Sequence, residues 1–445
     1  MRSYPRVSLT LVTLLVGASV ALSGCGSTSK KDKERLQGER IPILSYEEAL
    51  EPDTALQDVE VALPDPIQNK DWPQGGGYPN HAMQHLALAD APKKIWSVSI
   101  GNGSSDRKQL TETPVVADGT LFAIDSNAKV SAFDAATGQK RWSYDIKVPK
   151  QSKGISFGGG VGYDKGKLYA STGYGVVVAF DATSGKELWR VSLGMPLRGA
   201  PAIADGRVFV NSFDNQLFAL NAENGETIWD HPGIVESAGI LGAATPAVGS
   251  GVVIAGFSSG ELFALAVENG RPAWSDMLTR TGRLTPLSTL ADIDASPIID
   301  RGIVYGISQA GRMVAIDLRT GERVWERNVG SAHTPAVAGE YIYVVTNDNE
   351  IVCLSRQSGA VRWVTPLQKF KKPEDRKGRV FWGGPVLAGD RLIITSSHGW
   401  ALSVSPYNGK ILSGTKLEDK TYLSPIVANS TLYFLTDDGE ITAYR

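Results

Sequence analysis

Cysteine is almost absent from the chain: Cys25 and Cys353 are the only two, so no disulfide framework can hold the fold and order must come from a buried core. Histidine is nearly as scarce, with His81, His85, His231, His333 and His398. Only His81 and His85, in HAMQH, have metal-ligand spacing. Without the Glu of a zinc-protease motif, that pair reads as packing. Neither sign of charge is in excess, since 45 Lys and Arg face 47 Asp and Glu. This excludes an electrostatic nucleic-acid binder. There is no heptad pattern and no low-complexity tract. The one long apolar run, Val7 to Leu22, is short for a membrane span and rich in Ser, Thr and Gly.

What the chain does have is Gly, 48 of them, and 10 Trp, arranged in a repeating sentence. AFDAATGQKRW, from Ala132 to Trp142, returns as AFDATSGKELW ending at Trp189 and ALNAENGETIW ending at Trp229. ALAVENGRPAW, AIDLRTGERVW and CLSRQSGAVRW follow, ending at Trp274, Trp325 and Trp363. A further copy, SVSPYNGKILS, keeps Gly409 but has Ser413 in place of Trp, and another begins at Ala443. Each is preceded by a block such as TPVVADGTLFAIDS, whose alternating apolar residues around Asp-Gly read as a hairpin. The unit is therefore four strands long, and a period of roughly 40 to 50 residues with one Trp per unit is the pattern of a propeller blade. One such sheet cannot cover both its faces, whereas a ring of them can.

The expectation is an all-β fold, an eight-bladed β-propeller of four-stranded antiparallel blades. The last unit lacks a fourth strand. IWSVSIG, from Ile95 to Gly101, matches the Trp strand and is expected to close the ring beside Ala443.

Ahead of the ring, Arg2, Arg6, the apolar run and LSGC have the layout of a secretory leader ending before Cys25. Residues 1–24 are expected to be a lipoprotein signal peptide, 25–70 the lipidated N-terminus and tether, and 71–445 the propeller. IPILSYEEAL, at 41–50, has a second reading as a segment that docks on the propeller or a partner. Cys353 takes the Ala position of its repeat and reads as a buried thiol.

The remaining candidates for chemistry are weak. FGGGVGYDKG, from Phe157, lacks the helix and spacing of a dinucleotide fingerprint, so its glycines read as close packing. KFKKPEDRKGR, Lys369 to Arg379, mixes Glu374 and Asp375 into its basic residues and reads as a solvated loop. Asp292 and Asp294, in DIDASP, lie at i and i+2 and point to one side of an extended segment. No further acidic or amide ligands stand near them for calcium. No Ser/His/Asp or Cys/His arrangement emerges.

The Trp-Gly blade motif resembles that of the pyrroloquinoline-quinone-type propeller repeats, shared by quinoprotein dehydrogenases and the BamB family. The lipobox-like LSGC, the closing strand, the eight units and the insertion GRLTPLSTLADIDASPII at 282–299 resemble BamB proteins over almost all of the chain after the leader. The resemblance implies Cys25 as the lipidation site and an outer-membrane location facing the periplasm. It also implies a non-enzymatic scaffold without cofactor that binds the periplasmic domains of a BamA-like barrel-assembly protein. Other lipoproteins of that complex, and unfolded outer-membrane proteins, are further implied partners. Carried onto this chain, the family's partner contacts fall on Asp292 and Asp294, and on Ile240 and Leu241 within the stretch 238–241. The Arg of that stretch is absent here, which implies the loss of a charged anchor. Charge reversal at both aspartates is expected to weaken partner binding without unfolding. The alternative from the same repeat family is a quinoprotein dehydrogenase. Those enzymes commonly use an adjacent cysteine pair, which this sequence cannot form.

Overall fold

A computed structural model describes residues 50–56, 59–148, 156–236, 242, 244–279 and 291–445. Cys25, Ile240 and Leu241 lie outside the described residues, as do residues 41–49 of the IPILSYEEAL segment. Among the described residues there are eight four-stranded antiparallel sheets and two short two-stranded pairings. Seven sheets are consecutive in the chain, at 115–145, 161–192, 202–232, 247–277, 298–327, 336–366 and 382–416; they are blades 1 to 7. Blade 8 takes three strands from 426–444 and its outermost strand, Lys94–Ser99, from the N-terminal side. Trp96 pairs with Ala443, the same cross-strand pair as Ala132 with Trp142, so the expected closing strand is in register.

Local chemistry sets each blade. In seven of the eight blades the first two strands are joined by two-residue turns with both central residues in the left-handed region, as at Asp118 (φ 47°) and Gly119 (φ 67°). Such a turn matches the twist of the strands it joins, which is why Asp-Gly recurs there. The inner strands are buried along their length, while the fourth strand, as in Lys140–Asp145, is covered only on alternate residues.

Trp and Gly fasten one blade to the next. Trp142 donates its indole N–H to the carbonyl of Ala182 at 2.9 Å, Trp229 to Val267 at 3.0 Å and Trp363 to Pro406 at 3.1 Å. Each acceptor lies in the hairpin turn of the following blade. The ring of each Trp covers that turn's glycine: a Cβ on Gly270 would sit 2.7 Å from Trp229. A large apolar ring, one satisfied donor and a residue with no side chain make the joint.

The segment 60–86 was not legible as structure. It runs once around the central channel, with contacts to all eight blades. Asn69 Nδ2 donates to Val427 O in blade 8 (2.6 Å), and the main chain of Trp72 exchanges hydrogen bonds with Val116 in blade 1. Pro73, Pro79 and Asn80 offer carbonyls to Tyr163, Val248 and Ile299 in blades 2, 4 and 5. The side chain of Gln74 pairs with the main chain of Ile203 in blade 3, donating at 2.7 Å and accepting at 2.9 Å. Tyr341 of blade 6 donates its hydroxyl to Glu60 O, and Leu86 pairs with blade 7. This belt satisfies the free edges of the innermost strands, which would otherwise be buried unpaired. The packed body thus begins ahead of the boundary at residue 71: Val61 and Asn69 are buried in it.

His81 and His85 belong to the belt. His81 Nδ1 lies 2.7 Å from Pro297 O and His85 Nδ1 2.8 Å from Pro64 O, and Asp390 N donates to His85 Nε2. The Gly158–Gly160 run is a close approach: a Cβ on Gly160 would meet Ala200 at 2.6 Å. Basic residues 369–379 form a short exposed hairpin, Phe370–Lys372 with Lys377–Arg379. No helix among the described residues is long and apolar enough to cross a membrane.

Candidate partner-binding site

Asp292 and Asp294 end the insertion before blade 5. The residue between them, Ile293, is buried against Gly256, where a Cβ would lie 2.4 Å from its side chain. An extended chain that turns Ile293 into the core turns both neighbours the other way. There they meet Arg198, from the connection between blades 2 and 3. Arg198 Nη2 lies 3.2 Å from Asp292 Oδ1 and 3.5 Å from Asp294 Oδ1, and its Nε donates to Gly242 O at 2.9 Å. All three side chains are over nine-tenths buried. The guanidinium also lies 5.9 Å from the ring of Phe213, which is itself exposed.

One arginine therefore clamps connections from three blades: its own, the one containing Gly242 that follows Ile240 and Leu241, and the end of the insertion. One sequence expectation changes. Asp292 and Asp294 are not a pair that charge reversal would leave folded, because reversal would set three buried cations together. Burial raises the pKa of Asp294 to about 7, against the lowering effect of Arg198 and with a further rise from Asp292.

Beside this cluster, at the end of the channel where the inner strands begin, is a cavity of about 310 Å³. The belt supplies Trp72, His81 and Met83 to its wall, the entries to the inner strands supply Glu112 and Asp294, and the turn after Thr431–Leu435 supplies Asp437. Glu112 Oε1 accepts from the Ala200 N–H at 3.2 Å, and burial raises its pKa to about 7. Burial likewise raises Asp437 to about 6, with Lys420 Nζ 3.6 Å away acting against it. Burial holds His81 and His333, also in the wall, down at about 4. Neither Arg198 nor Glu112 was singled out in the sequence. MPLRG, at 195–199, carries only a weak cue, an Arg flanked by turn formers in an inter-blade connection.

Comparison with known proteins adds the family. The family described as outer membrane protein assembly factor BamB matches residues 83–155 and 126–365. The chain belongs to the BamB family. A BamB of Yersinia pestis is 26% identical over 368 residues, covering 80% of this chain and 89% of that protein. The crystal structure of BamB from Moraxella catarrhalis superposes with a TM-score of 0.67 at 21% identity, over 80% of this chain and 100% of that one. A europium-containing methanol dehydrogenase gives 0.65 at 15% identity, over 84% and 89%, so this BamB-family fold is shared with enzymes.

The cavity does not suit the cofactor of those enzymes. Pyrroloquinoline quinone carries three carboxylates of its own. Those groups would meet Glu112, Asp294 and Asp437 in a wall to which no described Lys or Arg contributes. Cys353 is a free, buried thiol with no neighbouring cysteine to form the disulfide that commonly flanks the quinone.

Proposed function

We propose that this BamB-family protein is a non-enzymatic periplasmic scaffold, anchored to the outer membrane by lipid on Cys25. Its partner is a BamA-like barrel-assembly protein, bound through that protein's periplasmic domains to assist folding and insertion of outer-membrane proteins. Other lipoproteins of the complex and unfolded clients are further partners in this reading. Residues 25–70 connect the anchor to the ring, with their C-terminal part held in the belt.

The observation that carries the reading is the Arg198 clamp. It holds Asp292 and Asp294, onto which the family's acidic partner contacts fall, beside Gly242, the residue after the 238–241 stretch. Asp292 and Asp294 then act by holding the connection at Gly242 in place, and Ile240 and Leu241 are the apolar partner contacts of this reading. A rigid, pre-set surface loses less entropy on binding.

The test is binding of the full chain in detergent to the purified periplasmic domains of the BamA-like protein from the same organism, by biolayer interferometry. Saturable binding that Leu241→Asp weakens at least tenfold, at unchanged melting temperature, is expected. No binding by the wild-type chain would refute the reading.

A further inference from the structure

The basic hairpin between blades 6 and 7 leads into a surface that the scaffold reading does not use. Val380, which follows the hairpin, is buried, and its neighbours Arg379 and Phe381 turn outward together, with the guanidinium 5.5 Å from the ring centre. Phe381 meets Tyr422, from the connection between blades 7 and 8, at 6.2 Å between ring centres, and Lys420 Nζ lies 5.9 Å from the Tyr422 ring. The four side chains form a row of cation, ring, ring and cation along the rim of the channel, where Tyr422 also borders the cavity. Both rings are open to solvent, Phe381 at 49% and Tyr422 at 42%.

The main chain that carries each ring is fixed. Phe381 N–H donates to Ser397 Oγ at 2.9 Å, and Ser397 N–H donates back to Phe381 O at 2.9 Å. Beside Tyr422, the Thr421 hydroxyl donates to Leu435 O at 2.7 Å and accepts from the Leu423 N–H at 3.1 Å. Aromatic and arginine side chains presented in a set geometry are the residue types that dominate binding energy at interfaces. Charge names the occupant. Residues 369–379 carry six Lys and Arg against Glu374 and Asp375, in a chain of net charge −2. None of the six forms an ion pair among the described residues; Arg379 Nη2 donates to a neutral acceptor, Asn347 O, at 3.3 Å. Such a field attracts carboxylates. A flat anionic bilayer would also meet Glu418 and Asp438, which are exposed at the same end of the ring, whereas a narrow segment need not.

We propose that this row docks an acidic polypeptide segment with an aromatic side chain among its carboxylates. The aromatic residue of the segment covers Phe381 and Tyr422, and its carboxylates reach Arg379, Lys420 and the hairpin, with Arg379 able to take one of them in a bidentate pair. Attraction between exposed charges weakens with salt while apolar ring contact does not, so the two contributions are separable. The inference does not rest on the proposed function.

The test is fluorescence anisotropy of the labelled peptide Glu-Glu-Phe-Glu-Glu-Phe-Glu-Glu with the full chain in detergent. Control peptides replace every Glu by Lys, or every Phe by Ala. Saturable binding of the acidic aromatic peptide is expected, at least tenfold weaker for the Ala peptide and absent for the Lys peptide. Arg379→Glu, and the double variant Phe381→Ser with Tyr422→Ser, are each expected to weaken it at least tenfold at unchanged melting temperature. Raising NaCl from about 50 to about 300 mM is expected to weaken it severalfold. No saturable binding, equal binding of the Lys peptide, or affinity unchanged in either variant overturns the proposal. So does loss of binding when phosphatidylglycerol, but not phosphatidylcholine, is mixed into the micelles, which would assign the row to an anionic lipid surface.

Discussion

Trp229 and Gly270 belong to different blades, yet the indole ring of one lies directly on the backbone of the other. The indole N–H of Trp229 reaches Val267 O in the same turn at 3.0 Å, and Gly270 holds a φ of +70° with no space for a Cβ. Gly270→Ala is therefore expected to lower stability by about 1–3 kcal/mol, from strain and overpacking together. Trp229→Ala is expected to cost about 3–5 kcal/mol. Chemical denaturation of the two variants checks both values.

Blade 7 is the exception that tests the same joint. Ser413 holds the Trp position, paired with Ser403, and its strand Ile411–Lys416 is exposed throughout. The following blade has no hairpin turn there, because its third and fourth strands come from distant parts of the chain. With no turn glycine to cover, Ser413→Trp is expected to change stability by less than about 0.5 kcal/mol. A clear rise in melting temperature would show that another surface can accept the ring.

Arg198→Ala is expected to destabilise by about 3–5 kcal/mol, since it strands buried carboxylates without their cation. Replacing the cluster together, as Arg198→Met with Asp292→Asn and Asp294→Asn, is expected to recover most of that loss. Denaturant melts of the single and triple variants measure the difference. Recovered stability with partner binding still weak would separate the positioning role proposed for the cluster from its contribution to the fold.

Glu112 gives a pH signature. Its carboxyl titrates near 7 in the folded chain instead of at 4.5, so between those values the native state holds a proton that the unfolded state has released. Raising the pH through that window therefore costs stability. Glu112→Gln has no such group. Its stability relative to wild type is expected to rise by about 1–3 kcal/mol from about pH 5 to about pH 8. Asp294, Asp437 and the histidines are common to both proteins and cancel to first order. Thermal melts across pH measure the gap, and a constant gap would place Glu112 in water.

Gln74 mimics a main-chain pair, donating to and accepting from Ile203. Gln74→Ala leaves both main-chain groups unsatisfied and is expected to cost about 2–3 kcal/mol. Gln74→Glu keeps only the acceptor and is expected to cost a comparable amount. Denaturant midpoints of the two variants make the comparison.

The blades were legible because each carries the same few cues at the same spacing: a turn pair, an Ala and a Trp. The closing strand was legible for the same reason, since Trp96 sits in a copy of the Trp strand. The belt was not. Asn69, Gln74, Pro79 and Asn80 bind through main-chain groups or single amides, and such contacts impose no periodicity on the sequence. The clamp was half legible. Alternation put Asp292 and Asp294 on one side, but their cation lies about 95 residues away, and only the ring geometry brings Arg198 there.

The strand Lys94–Ser99 and the belt before it precede every blade in the chain, yet their partners are spread over all eight. Synthesis and export therefore deliver these segments before anything exists for them to pair with. Pairing Trp96 with Ala443 spans the entire ring, a contact of very high sequence separation, and such contacts form late. Folding then ends where the chain begins. Until that last strand arrives, two sheet edges stay open, and an open edge is a template on which another chain can pair.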